Sequence, residues 1–189
     1  MERFSCIISR CRKIGCSVLC ALVSYPSCTI CFASDALIRP KFIDYPVAIY
    51  KDSVRAPGYY ERFGSEWRDD MGKLVDAPHI NFAGKYFVAV HSCGANCRYF
   101  TLSDLENGKD FDLLEMFSMD GRHQLRTSDG RTYVIDLTTR ENSLLLVVRY
   151  YIEALNGKSE ECREKYFAIS PDGPRLNSVS GTFTGCIES

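Results

Sequence analysis

A chain of 189 residues has room for one domain that buries about two-thirds of its unfolded surface, and a second full domain does not fit. Hydrophobic residues make up 46% and charged residues 25%, with a formal net charge of −1. That near-neutral balance argues against nucleic acid as a partner, because such binding is driven by a surplus of Lys and Arg against phosphate.

Arg3, Arg10, Arg12 and Lys13 precede an apolar run from Ile14 to Val23, and Cys31-Phe32-Ala33 then offers small residues at −3 and −1 of a cleavage site. The pattern predicts a Sec-type signal peptide over residues 1–33, cleaved after Ala33, and a mature chain that starts at Ser34 and works in the periplasm or as a secreted protein. The apolar run falls short of the roughly 20 residues that span a bilayer, and Tyr25-Pro26-Ser27 interrupts it, so no stable membrane span is expected once the signal is removed. A lipoprotein signal is disfavoured, since Tyr25 and Cys28 stand three residues before Cys28 and Cys31 where an aliphatic residue is usual. Removing the four basic residues and one acidic residue of this segment moves the net charge from −1 to −4.

Of ten cysteines, Cys93, Cys97, Cys162 and Cys186 remain in the mature chain, an even number in an oxidising compartment. Four cysteines allow three pairings. Proximity favours Cys93 with Cys97 and Cys162 with Cys186; the second would close a loop of roughly 25 residues and contribute roughly 3 kcal/mol on the loop-entropy model.

In chain order, residues 34–60 mix Pro40, Pro46 and Pro57 with short apolar pieces and read as an extended, surface-draped lead-in with at most one short strand. Phe63, Trp67, Met71 and Leu74 recur at spacings of four, four and three, which predicts one short helix near residues 61–74, although Gly64 and Gly72 weaken it. Residues 86–91 and 98–102 are β-rich runs that flank Cys93-Gly94-Ala95-Asn96-Cys97, a hairpin whose turn is clipped by a disulfide. An Asn107-Gly108 turn and a return strand from Phe111 to Leu114 complete a three-stranded antiparallel meander. A further strand, residues 131–137, precedes a second meander built from Leu144 to Tyr151 and Lys165 to Ser170, followed by the turn Pro171-Asp172-Gly173-Pro174. Residues 98–103 and 165–170 are alike position by position. The expected fold is mainly β, with antiparallel meander or hairpin sheets arranged as a sandwich or as propeller-like blades, in a single domain over residues 34–189 carrying two disulfides. Two such units do not close a propeller, which takes four or more.

His91 with Cys93 and Cys97 is the strongest local constellation, since imidazole and thiolate are favoured zinc and copper ligands. In an exported chain a structural disulfide is the better reading, and active dithiols usually space their cysteines by two residues at a helix N-terminus. No nucleophile elbow, zinc-protease motif or phosphate-binding loop is present, and His79, His91 and His123 adjoin no serine or cysteine in such a motif. Cys93 with His79 as nucleophile and base is the weaker reading. Asp104, Glu106, Asp110 and Asp112 alternate around a turn without the spacing of a calcium loop and read as a solvated acidic rim. Tyr99, Tyr150 and Tyr166 are the candidate binding residues: strand alternation would turn one of each aromatic pair outward, and three outward tyrosines would form an adhesive face.

Asn81-Phe82-Ala83-Gly84-Lys85-Tyr86, then Cys93-Gly94-x-x-Cys97, then Asp104 to the Gly108-Lys109 turn resembles a family of small exported, functionally uncharacterised proteins of Gram-negative bacteria. The resemblance covers about 30 residues; His91-Ser92 departs from the bulky apolar residue and glycine expected there. It implies a periplasmic β-rich domain and transfers no activity to this chain. The functional expectation is therefore a binding module without catalysis or cofactor, with a protein or cell-envelope component as partner, of which an inhibitor or immunity protein is one version. A metal-binding or thiol-redox enzyme using His91, Cys93 and Cys97 is the alternative.

Overall fold

The computed structural model describes residues 38–94, 97–119 and 124–187, so the predicted signal peptide, its cleavage site and His123 lie outside the described residues. Strands β1 (Glu61–Phe63), β2 (Glu66–Arg68) and β3 (Leu74–Val75) form a small meander. A second sheet has the order β4 (Tyr86–Gly94), β5 (Cys97–Asp104), β6 (Lys109–Phe111). In the third, β7 (Tyr133–Thr138), β8 (Leu145–Ile152), β9 (Glu161–Ile169) and β10 (Leu176–Ser178) pair in sequence, and β11 (Phe183–Thr184) joins β9. Every pairing is antiparallel, as hairpin connections of these lengths require.

The expected mainly β, antiparallel fold is what forms, and the arrangement is sandwich-like. Alternation along the strands explains it: Tyr86, Val88, Phe100 and Leu102 of the second sheet meet Ile135, Leu146, Val148, Phe167 and Ile169 of the third in one core. The matching stretches Arg98–Ser103 and Lys165–Ser170 point the same way, each sending its second aromatic and its aliphatic residue into that core. Both disulfides form as proximity suggested, Cys93–Cys97 and Cys162–Cys186. Among the described residues no helix is long and apolar enough to cross a membrane.

The helix predicted near residues 61–74 does not form; β1–β3 occupy that segment. Gly64 and Gly72 adopt φ of 65° and 73°, closing turns where a helix would need negative φ. The apparent helical stripe is no buried face either, because Phe63, Met71 and Leu74 are exposed while Trp67 packs inward against Tyr60. The predicted return strand Phe111–Leu114 ends at Phe111, and a 3-10 turn over Asp112–Phe117 continues the chain and buries Leu114 and Phe117.

The lead-in covers what would otherwise be open sheet. A 3-10 turn at Phe42–Asp44 lies on the outer face of β8 and β9, where Phe42 and Tyr45 pack against Leu145, Val147, Tyr166 and Phe183. The Ser143 hydroxyl donates to the Phe42 carbonyl at 2.8 Å, and backbone bonds from Val47 to Asn142, Tyr50 to Gly84 and Arg55 to Leu105 hold the rest in place. No strand forms between residues 47 and 50, where one was conceivable.

Candidate functional site: an acidic cleft beside β5

Tyr99, Thr101 and Ser103 alternate onto the face of β5 that lies opposite the common core, next to His91, Ala89 and Phe87 of β4. Residues 57–80 roof this face, contributing Tyr59, Tyr60, Trp67, Val75 and Ile80. Under the roof runs a continuous chain of hydrogen bonds. Asp69 Oδ2 lies 3.3 Å from His91 Nδ1, and His91 Nε2 lies 3.0 Å from Thr101 Oγ1. Thr101 Oγ1 is 2.7 Å from the Tyr59 hydroxyl, which is 3.0 Å from Ser103 Oγ, and Ser103 donates to Asp110 Oδ1 at 2.6 Å.

The chain is internally constrained. Each hydroxyl brings one proton, so Thr101, Tyr59 and Ser103 can each donate to only one neighbour along the five contacts. Asp69 stays the anionic end: burial alone would raise its carboxyl, but the amides of Lys73 and Met71 and the His91 ring outweigh burial and hold it below the usual carboxylate range. Tyr99 stacks on His91 with ring centroids 4.5 Å apart and planes 12° from parallel. Burial, aided by Asp70 and Asp69, pushes the Tyr99 hydroxyl up to about 12, so it remains neutral at physiological pH.

At its far end the chain opens into a cleft of about 480 Å³, lined by Tyr99, Thr101, Asp110, Asp112, Glu115 and Met119 among others. Its position follows from β6, which is short and pairs only with residues 102–104, leaving the first half of β5 to be covered by the 3-10 turn and the strap behind it. That strap is held by the Phe100 amide donating to Ser118 Oγ at 3.0 Å and the Met119 amide donating to the Arg98 carbonyl at 2.8 Å. The cleft therefore presents three carboxylates together with aromatic and hydroxyl-bearing side chains, Tyr99 and Thr101 among them. Asp110, Asp112 and Glu115 are all exposed, but Asp110, like Thr101, is fixed from behind by a buried partner.

Several expected residues fall elsewhere. Tyr99, Tyr150 and Tyr166 do not share a face: Tyr99 is on the roofed face of β5, Tyr150 packs on the common core against Tyr133, and Tyr166 is buried on the outer side of β9. Alternation does separate Tyr166 from Phe167, but the lead-in and Phe183 cover the side to which Tyr166 points, and Tyr151 is the exposed neighbour on β8. The acidic rim is likewise divided. Asp104 is buried, paired with Lys85 at 2.9 Å and accepting the Glu106 amide, so it braces a turn, while Asp110 and Asp112 enter the cleft. His91 has both ring nitrogens engaged, and Cys93 and Cys97 are joined to each other. His79 is exposed, with its Nδ1 near the Ala77 carbonyl. Among the described residues no group of three or more His, Cys, Asp or Glu side chains is placed to hold a metal.

Sequence reading missed Tyr59, Asp69, Thr101 and Glu115. The available signal was the polar alternation Tyr99-x-Thr101-x-Ser103, which demands partners from whatever covers that face. Comparison of the chain with family models, with curated proteins and with solved structures returned no match.

Proposed function

We propose that this is an exported binding module whose acidic cleft receives a cationic side chain of a protein or cell-envelope partner, in the manner of an inhibitor or immunity protein. The observation that carries the reading is preorganisation: a ligand-sized cleft whose Thr101 and Asp110 are oriented by a buried hydrogen-bond chain needs little ordering on binding. Tyr99 supplies a ring face for a guanidinium or ammonium, and Asp110, Asp112 and Glu115 supply the countercharge. Export is supported by the two disulfides and by the basic-then-apolar start of the chain, with periplasmic or secreted localisation following from a signal over residues 1–33. In the metal or thiol alternative, His91, Cys93 and Cys97 would have to be released from the bonds they make here.

Titrating isotopically labelled protein with an arginine-rich peptide tests this reading. Saturable amide shifts are expected at Tyr99, Thr101, Phe111 and Met119, weakening with added salt. Asp112→Asn and Glu115→Gln each lower affinity by up to about fivefold, the range for partly exposed ion pairs. Shifts confined to residues outside the cleft, or unchanged affinity in the double variant, contradict it.

A further inference from the structure

On the outer face of β8 and β9, away from the roofed face of β5, a second cavity of about 340 Å³ has the opposite charge. Arg39, Lys41, Arg140 and Arg149 line it, with Glu164 as its one carboxylate. Glu164 is buried and already shared between Arg39 and Arg149. Among the described residues Lys41 and Arg140 make no ion pair through their side chains; Asp44 accepts the Lys41 backbone amide, and Arg140 rests its guanidinium over the Phe42 ring at 4.7 Å. The rim is apolar and open: Ile43 and Ile187 line the cavity at 81% and 55% exposure, and Ile38, next to Arg39, is 86% exposed. Large aliphatic side chains standing this far out of a folded surface, set among cations, have no covering partner among the described residues.

From this juxtaposition we propose that the groove formed by the lead-in and the outer face of β8 and β9 docks on the anionic phospholipid surface of the cell envelope, Lys41 and Arg140 meeting headgroup phosphates while Ile38, Ile43 and Ile187 enter the interface. Charge complementarity selects this occupant. Cations alone would suit any phosphate and isoleucines alone any apolar partner, but their combination matches a lipid interface, where phosphate and methylene lie side by side. Because the mature chain is acidic as a whole, contact has to be made through this face. The groove shares no residue with the acidic cleft, so the two readings stand or fall separately.

Co-sedimentation of the exported protein with vesicles of phosphatidylcholine, and of phosphatidylcholine mixed with phosphatidylglycerol, is the test. Binding to the anionic vesicles only, reduced by salt, is expected. The exposed-site variants Lys41→Gln and Arg140→Gln each lower partitioning about fivefold, and Ile43→Ser lowers it further, with unfolding temperatures unchanged. Absent binding, equal binding to neutral vesicles, indifference to the Lys41 and Arg140 substitutions, or full competition by soluble glycerol phosphate would each overturn the proposal.

Discussion

Glu164→Gln is expected to destabilise the protein by about 3 kcal/mol, the low end for breaking a buried ion pair, because the carboxylate is buried while Arg39 and Arg149 are partly open to water. Glu164 is 1% exposed and gathers contacts from four parts of the chain. Arg39 of the lead-in pairs with Oε2; Arg149 of β8 donates to Oε1 at 3.1 Å; the Tyr166 hydroxyl donates at 2.6 Å; and the Ile187 amide of the C-terminal tail donates at 3.1 Å. Arg39 also reaches the Gly185 carbonyl and Arg149 the Ile187 carbonyl, so the first and last described segments are tied together through one carboxylate. Thermal unfolding should fall by about 10 °C for a domain of this size. Tyr166→Phe, which removes one hydrogen bond to the carboxylate and no charge, should cost about 1.5 kcal/mol.

The pH profile separates this ion cluster from simple packing. Burial by itself would raise the Glu164 carboxyl, but the Tyr166 hydroxyl, the Ile187 amide and the Arg149 and Arg39 guanidinium groups together hold it below its ordinary 4.5. A carboxyl depressed on folding contributes stability that is complete above its unfolded value and lost as pH falls through the folded one. The gap between wild type and Glu164→Gln is therefore widest near neutral pH and narrows below about pH 4.5. A gap independent of pH would show that the carboxylate's charge plays no part.

Gly84→Ala should be at least as damaging, costing about 3 kcal/mol or more, since it joins a left-handed backbone penalty to a clash that backbone cannot relieve. Gly84 has φ of 78°, and a Cβ there would stand 2.2 Å from the Ala48 carbonyl oxygen of the lead-in. The two strands of chain are fastened together at this point by the Tyr50 amide donating to the Gly84 carbonyl at 2.7 Å. Gly58→Ala is the matched control: its Cβ would meet nothing within 4 Å, and its cost should stay within about 0.5 kcal/mol. Urea midpoints of the two variants give the comparison directly.

Gly84 also explains what the Asn81–Tyr86 motif is for. Asn81 brackets Val88 with both side-chain atoms, at 2.9 and 2.7 Å; Phe82 is fully buried; and Lys85 bridges Asp104 at 2.9 Å and Glu106 at 2.8 Å across the next hairpin. Asn81, Phe82 and Gly84 serve the start of β4 and its union with the lead-in, and Lys85 braces the neighbouring turn. The resemblance that rests on these residues thus concerns how a strand begins and is silent on chemistry.

Strands β4, β5, β8 and β9 were legible because their apolar residues alternate or run continuously and their turns carry Asn-Gly or Pro-Asp-Gly-Pro. The meander of β1–β3 was not, because strands of two or three residues are too short to show a period, and a spacing of four is shared by alternate strand positions and helical turns. The cleft was half visible: Asp110 and Asp112 stood out as acidic residues, but Asp69 and Tyr59, which join the hydrogen-bond chain behind it, come from segments read as helix and lead-in. Tyr166 was misread because alternation tells which side a residue takes and not whether another segment covers that side.

On the proposed reading, the four sulfurs of the mature chain are covalent struts in an exported protein that acts by holding a partner. Intact-mass measurement of the protein recovered from the periplasm or medium, alkylated under denaturing conditions without reductant, tests it most directly. A chain beginning at Ser34 with no alkylated cysteine and no bound metal is the predicted result. A chain beginning at Met1, or one carrying alkyl groups on Cys93 and Cys97, would contradict it.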